Sequence, residues 1–168
     1  VRYLSKALKK KSRLVGAHNN MGVALASMGD LDGGIRHMKK AISLKPRYAE
    51  AHNSLGNALA QKGLLKEAMK AWARAAELDP RYAEPYFNMG VMFELQGDVK
   101  GARRCFSNAI HIKPNYAQAY SKLGSILARE GKYEAAMKLF SEALRINPRL
   151  PDARKGFQEM TRITGRKK

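Results

Sequence analysis

Apolar and small residues recur along this chain at spacings of three and four, stop, and then resume. Between Ala49 and Tyr82 they fall at Leu55, Gly56 and Leu59, and again at Ala68, Trp72, Ala75 and Ala76. That period marks a helix with one buried face. Gly63 interrupts the first run and predicts its end. Pro80 closes the second run, because proline cannot continue a helix. The stretch therefore predicts helix, tight turn, helix, turn.

The same pattern returns every 34 residues. Pro46, Pro80, Pro114 and Pro148 keep the interval, as do Gly22, Gly56, Gly90 and Gly124. Gly29, Gly63, Gly97 and Gly131 keep it too, and so do Ala41, Ala75, Ala109 and Ala143. A single hairpin cannot bury its own apolar face, whereas stacked hairpins can. The first-helix glycine lets two helices approach, and the bulky second-helix residue (Met38, Trp72, Phe106 or Phe140) is expected to fill the space beside it.

This order of Leu-Gly, Gly, Ala, aromatic, Ala and Pro resembles the tetratricopeptide repeat family over residues 15–148. The stretch 49–80, AEAHNSLGNALAQKGLLKEAMKAWARAAELDP, carries the resemblance most clearly. It implies an all-α fold, a right-handed α-solenoid of stacked antiparallel helix hairpins. The expected organisation is four units, 15–48, 49–82, 83–116 and 117–150. Residues 1–14 are expected to form the second helix of a preceding partial repeat, or an N-terminal cap. Leu4 and Ala7 there align with second-helix packing positions. Residues 151–168 are expected to form a C-terminal capping helix with a basic tail. The chain starts with Val1, which suggests a module of a larger protein.

Two local features differ between units. Asp30 and Asp98 follow turn glycines and suit helix N-caps, where Leu64 and Lys132 stand in the other two units. Gly34 replaces the alanine of the other units, and glycine inside a helix costs up to about 1 kcal/mol. The second helix of the first unit is thus expected to be the weakest.

In the family, first helices line a concave face where peptides bind. The resemblance points to Asn19, Asn20, Asn53, Ser54, Asn57, Phe87, Asn88, Lys122 and Arg129 as groove residues. Asparagine offers both a donor and an acceptor, which suits an extended peptide backbone. Asn20, Ser54 and Asn88 would form a partial ladder, similar to that of the repeats attached to the O-GlcNAc transferases. Phe87 is a candidate anchor for an apolar side chain. Lys122 and Arg129 would make one end positive, and Glu50, Glu84 and Glu94 the middle negative. The family's carboxylate clamp is incomplete. Asn57, Asn88 and Lys122 match, but Asn53 and Gln118 stand where it places lysines, so acidic-tail binding is disfavoured.

Charge adds a second reading. The chain has 32 basic and 14 acidic residues, a formal net charge of +18. Residues 1–14 contain Arg2, Lys6, Lys9, Lys10, Lys11 and Arg13 and no acidic residue. Arg36, Lys70, Arg104 and Lys138 form a column at the repeat interval, expected on the outer face. Exposed cations near the screening length give a modest field, enough to favour a weak contact with nucleic acid or an anionic membrane. A polypeptide partner remains the first expectation, and the N-terminal half repeat offers a route to self-association.

Catalytic chemistry is not legible. The chain has no phosphate-binding glycine loop, no metal-ligand histidine spacing and no nucleophile with its base. His18 and His52 lie one repeat apart and read as packing or edge residues, while His37 and His111 stand alone. The single cysteine, Cys105, reads as a packing residue. No enzymatic activity and no cofactor are expected. The compartment expected is the cytoplasm, or the soluble part of a membrane-attached protein.

Overall fold

The computed structural model describes residues 2–165, with side chains from Leu14 onward. Among the described residues there are helices and turns and no strands. In chain order the helices are α1 (Arg2–Ser27), α2 (Leu31–Leu44), α3 (Ala49–Gln61), α4 (Leu65–Leu78), α5 (Ala83–Leu95), α6 (Val99–Ile112), α7 (Ala117–Arg129), α8 (Tyr133–Ile146) and α9 (Pro151–Gly165). The chain divides into two compact units, Val1–Asn88 and Met89–Lys168.

Both kinds of turn have a local cause. After each first helix the chain reverses at Gly29, Gly63, Gly97 or Gly131, all with positive φ between 74° and 93°. The residue after each glycine donates its N–H five residues back, as Leu64 does to the Leu59 carbonyl at 2.9 Å. This is the Schellman ending, and only glycine enters the left-handed region without strain. The second helices end two residues before Pro46, Pro80, Pro114 and Pro148. The residue before proline is barred from helical geometry. Lys45, Asp79, Lys113 and Asn147 accordingly take φ between −142° and −128°.

The caps follow the sequence. Asp30 accepts from the Gly33 N–H at 2.8 Å, and Asp98 from the Gly101 N–H at 2.9 Å. Leu64 and Lys132 make no side-chain cap.

The glycine–aromatic packing is also as read. A Cβ on Gly56 would lie 2.5 Å from Trp72 Nε1, and one on Gly90 would lie 2.7 Å from Phe106 Cε1. Gly22 meets Met38 in the same way, and Gly124 meets Phe140. Ala41, Ala75, Ala109 and Ala143 are completely buried. In the second unit α9 packs against α8 and α7, with Ala153 and Met160 joining Ala136, Phe140 and Ala143 in one cluster.

Gly34 has a role that propensity does not show. A Cβ there would lie 2.7 Å from the Gly22 carbonyl oxygen and 3.1 Å from Ala26 Cβ. The α1–α2 crossing is closed by two facing glycines, so an alanine would not simply restore helix propensity.

α1 departs from expectation. It runs unbroken from Arg2 to Ser27, with no turn near residue 14. Ser12 stands where the other units have proline, and serine does not stop a helix. The expected packing of Leu4 and Ala7 lies outside the described side chains.

Candidate functional site

The amides of α3 and the start of α5 do not stand apart as independent groove donors. They form one bonded relay with two aromatic residues. Trp72 on α4 donates its Nε1–H to Asn57 Oδ1 at 2.9 Å. Asn88 Nδ2 donates to the same oxygen at 2.9 Å and to Asn53 Oδ1 at 3.1 Å. Asn53 Nδ2 donates to the Tyr82 hydroxyl at 3.0 Å.

The direction of this relay is fixed by chemistry. An indole N–H can only donate. Asn57 must therefore turn its oxygen inward and its Nδ2 outward. Asn88 must offer Nδ2 to that oxygen, which turns its own oxygen away. Asn53 then presents oxygen to Asn88 and nitrogen to Tyr82. One indole thus sets the orientation of three amides. The Asn57 Nδ2 donors and the Asn88 Oδ1 acceptor have no partner among the described residues. Burial pushes the Tyr82 phenol above its ordinary pKa, reinforced by the nearby Glu84 charge and opposed by the Asn53 bond.

Among the described residues the relay occurs once, centred on the repeat 49–82 and completed by Asn88 of the next. Along the 34-residue register, the Asn57 position holds Val23, Val91 and Ser125 elsewhere, and the Trp72 position holds Met38, Phe106 and Phe140. The chain's only tryptophan pairs with the only asparagine of that column.

The other expected groove residues fall into three groups. Asn19 and Asn53 are both buried and are not open groove donors. Asn53 spends its amide inside the relay. Asn19 Oδ1 is buried without a partner among the described residues. Its register mate Asn53 is bonded by Asn88, and in the first unit Ser54 replaces that amide with a shorter side chain. Asn20 is exposed, and Ser54 and Phe87 are half-buried.

In the second unit Glu94 on α5 links Lys122 Nζ at 3.0 Å and Arg129 Nη2 at 2.6 Å, both on α7. The positive end expected at Lys122 and Arg129 is partly neutralised, because a carboxylate one helix away lies within reach of both. Sequence columns hid this, since 28 and 35 residues separate the partners.

Arg36, Lys70, Arg104 and Lys138 are all exposed, and none makes an ion pair among the described residues. His37 is not alone. Its Nδ1 lies 3.0 Å from His18 Nδ1, so one ring donates and the other accepts. His52 instead donates Nε2–H to the Pro46 carbonyl at 3.0 Å. The His18–His37 pair joins two helices and follows no short sequence spacing, so only the fold reveals it. No group of three or more His, Cys, Asp or Glu among the described residues is placed to hold a metal. No described helix is long and apolar enough to cross a membrane. Cys105 is buried, and burial pushes its thiol pKa up.

Glycine-closed hairpins of this length, closed by proline and carrying polar first-helix faces, define an α-helical repeat scaffold. Profiles of the families "TPR repeat" and "Tetratricopeptide repeat" match residues 24–63 and 56–97, and 93–151, respectively. The chain belongs to the tetratricopeptide repeat family. No curated protein matches it. Similar solved structures include a MamA protein (25% identity, TM-score 0.74, covering 92% of this chain and 84% of that one). Another is Pseudomonas aeruginosa pilF, at 19% identity and TM-score 0.84, covering 94% and 72%. A third is YrrB, described as a TPR protein with an unusual peptide-binding site, at 21% identity and TM-score 0.70, covering 96% and 83%. The chain shares with them the all-α solenoid class, and its family makes it a protein–protein interaction scaffold.

Proposed function

We propose that the chain holds an extended peptide segment of a protein partner against the amide face of α3 and the start of α5. One observation carries this reading: the relay leaves the donors of Asn57 and the acceptor of Asn88 unpartnered on neighbouring side chains. A peptide backbone presents a carbonyl and an N–H, and so matches that pair without a side-chain requirement. The exposed Asn20 and half-buried Ser54 extend the polar face, and Phe87 offers an apolar foothold. In the second unit, Glu94 leaves Lys122 and Arg129 less able to attract an acidic tail.

The test uses a conservative change. Asn57→Asp keeps the oxygen that Trp72 and Asn88 need and replaces the outward N–H donors with a second, negatively charged oxygen that can only accept. Peptides selected from a random-sequence library would be titrated against both proteins. Weakening by roughly 0.5–1.5 kcal/mol or more is expected, the worth of a neutral hydrogen bond. Unchanged affinity, with unfolding also unchanged, rejects the reading.

The exposed, unpaired state of Arg36, Lys70, Arg104 and Lys138 supports a second reading, weak docking on nucleic acid or an anionic membrane surface. Such binding should fall steeply with salt. No retention of mixed-sequence RNA, DNA or anionic vesicles at low ionic strength removes it.

A further inference from the structure

Leu14, Ala17, Met21 and Ala24 form one exposed stripe along α1, which Met28 continues in the turn just after it. Their spacing of three and four confines them to less than a quarter of the helix circumference. Met21 is 51% and Met28 82% exposed. The opposite side of α1 packs inward, with Val15 clustered against Ala41 and Ala51.

The 34-residue register gives the stripe a meaning. Ala17 corresponds to Ala51 of α3, which is 0% exposed, and Ala24 to Ala58, which is 2% exposed. In the second unit the same positions of α7 are Ala119 and Ile126, both buried. On α3 this face is covered by α1 and α2, and on α7 by α6. Between Ala17 and Ala24 the stripe is therefore a stacking face of the repeat with nothing on it among the described residues, whereas Met28 corresponds to the exposed Lys62. The segment before Leu14 does not turn back over it, because α1 continues straight to Arg2.

We propose that this face pairs with the same face of a second copy of the chain, α1 against α1, antiparallel about a two-fold axis. Two observations select that occupant. First, the stripe alternates large and small, with Leu14, Met21 and Met28 separated by Ala17 and Ala24. In an antiparallel pair Leu14 meets the partner's Ala24, and Met21 meets the partner's Ala17, while Met28 reaches the level of the partner's Lys10, beyond these layers. Large against small packs closely, whereas a parallel pair sets alanine on alanine and leaves voids. Second, the six cations of residues 2–13 would lie side by side in a parallel pair. The antiparallel pair instead separates the two basic stretches and brings each toward the partner's α1–α2 turn at Asp30 and the first turn of α2 at Asp32, which respectively cap Gly33 and pair with Lys62 in their own chain. An isologous contact of this kind closes at two copies.

Sedimentation or light scattering over a range of concentrations gives the first test. The chain is expected to show a monomer–dimer equilibrium, shifted to monomer by Met21→Glu or by Ala24→Arg, with helical circular dichroism unchanged. The register is read in a Cys105→Ala background, a residue already tolerated at that column as Ala71. Ala17→Cys mixed with Met21→Cys should form a disulfide-linked dimer under oxidation, and neither alone should do so efficiently. The proposal is overturned by a monomer at the highest soluble concentration, even one that captures a helix of another protein. It is equally overturned by a dimer indifferent to both substitutions, or by linkage of Ala17→Cys to itself in preference to the mixed pair.

Discussion

Each compact unit carries a polar cluster built from α-helical side chains, and the two clusters use opposite means. In the first unit four neutral residues and an indole share hydrogen bonds whose direction is dictated by a donor that cannot reverse. In the second unit one carboxylate holds two cations. Neutral amides bonded in series leave a defined donor and a defined acceptor over. An ion triad leaves a net charge with little direction, because exposed ion pairs are weak and screened. On the proposed reading, specific geometry toward a partner is the contribution of the first cluster, and tunable charge that of the second.

The largest expected effect strikes the support of the first cluster. Gly56→Ala places a methyl 2.5 Å from Trp72 Nε1 and should cost about 2 kcal/mol by overpacking, as read by urea unfolding. It should also displace the indole from Asn57 and weaken peptide binding. The matched change Gly124→Ala meets Phe140 at 3.0 Å and should cost less. Equal losses at the two sites would mean that the indole bond adds nothing.

Asn53→Ala removes a buried amide from the middle of the relay. It leaves the Tyr82 hydroxyl and one Asn88 donor without their partner, at a cost of about 1–3 kcal/mol. A change within measurement error in denaturant midpoint would show the relay to be dispensable.

Trp72→Phe is gentler. Phe106 and Phe140 occupy the same column, so the hairpin accepts the smaller ring. Stability should fall by about 1 kcal/mol. Peptide affinity should fall with it, because Asn57 becomes free to flip. The Asn57 side-chain amide resonances should broaden, a readout that loss of packing alone would not produce.

The smallest effect on stability belongs to Glu94→Gln, at about 1 kcal/mol or less for pairs whose cations face solvent while Glu94 is half-buried. Lys122 and Arg129 would be released. Acidic peptides should then bind more tightly at low salt, with the gain disappearing at high salt. An affinity independent of Glu94 at both ionic strengths would show that the ion triad does not govern charge selection.

Much of this was legible from residue types and intervals. Positive φ at Gly29, Gly63, Gly97 and Gly131, helix ends before proline, aspartate caps and glycine seats for aromatic rings are local or near-local consequences of the chain. They follow from sterics that any neighbour must obey. The candidate site was legible only as a set of positions. Nothing in the sequence distinguished buried Asn53 from exposed Asn57, joined Trp72 to Asn57, or placed Glu94 between two cations. The His18–His37 pair and the unbroken run of α1 were likewise not read from the chain.

The sequence by itself determined the repeat, the ends of its hairpins and the close approach of their helices, because each depends on which backbone angles and side-chain volumes are sterically allowed. Only the tertiary structure decided which polar atoms are consumed internally and which are left for a partner. A hydrogen bond depends on placing two groups within about 3 Å, and for groups some 15 to 35 residues apart that distance is set by helix packing.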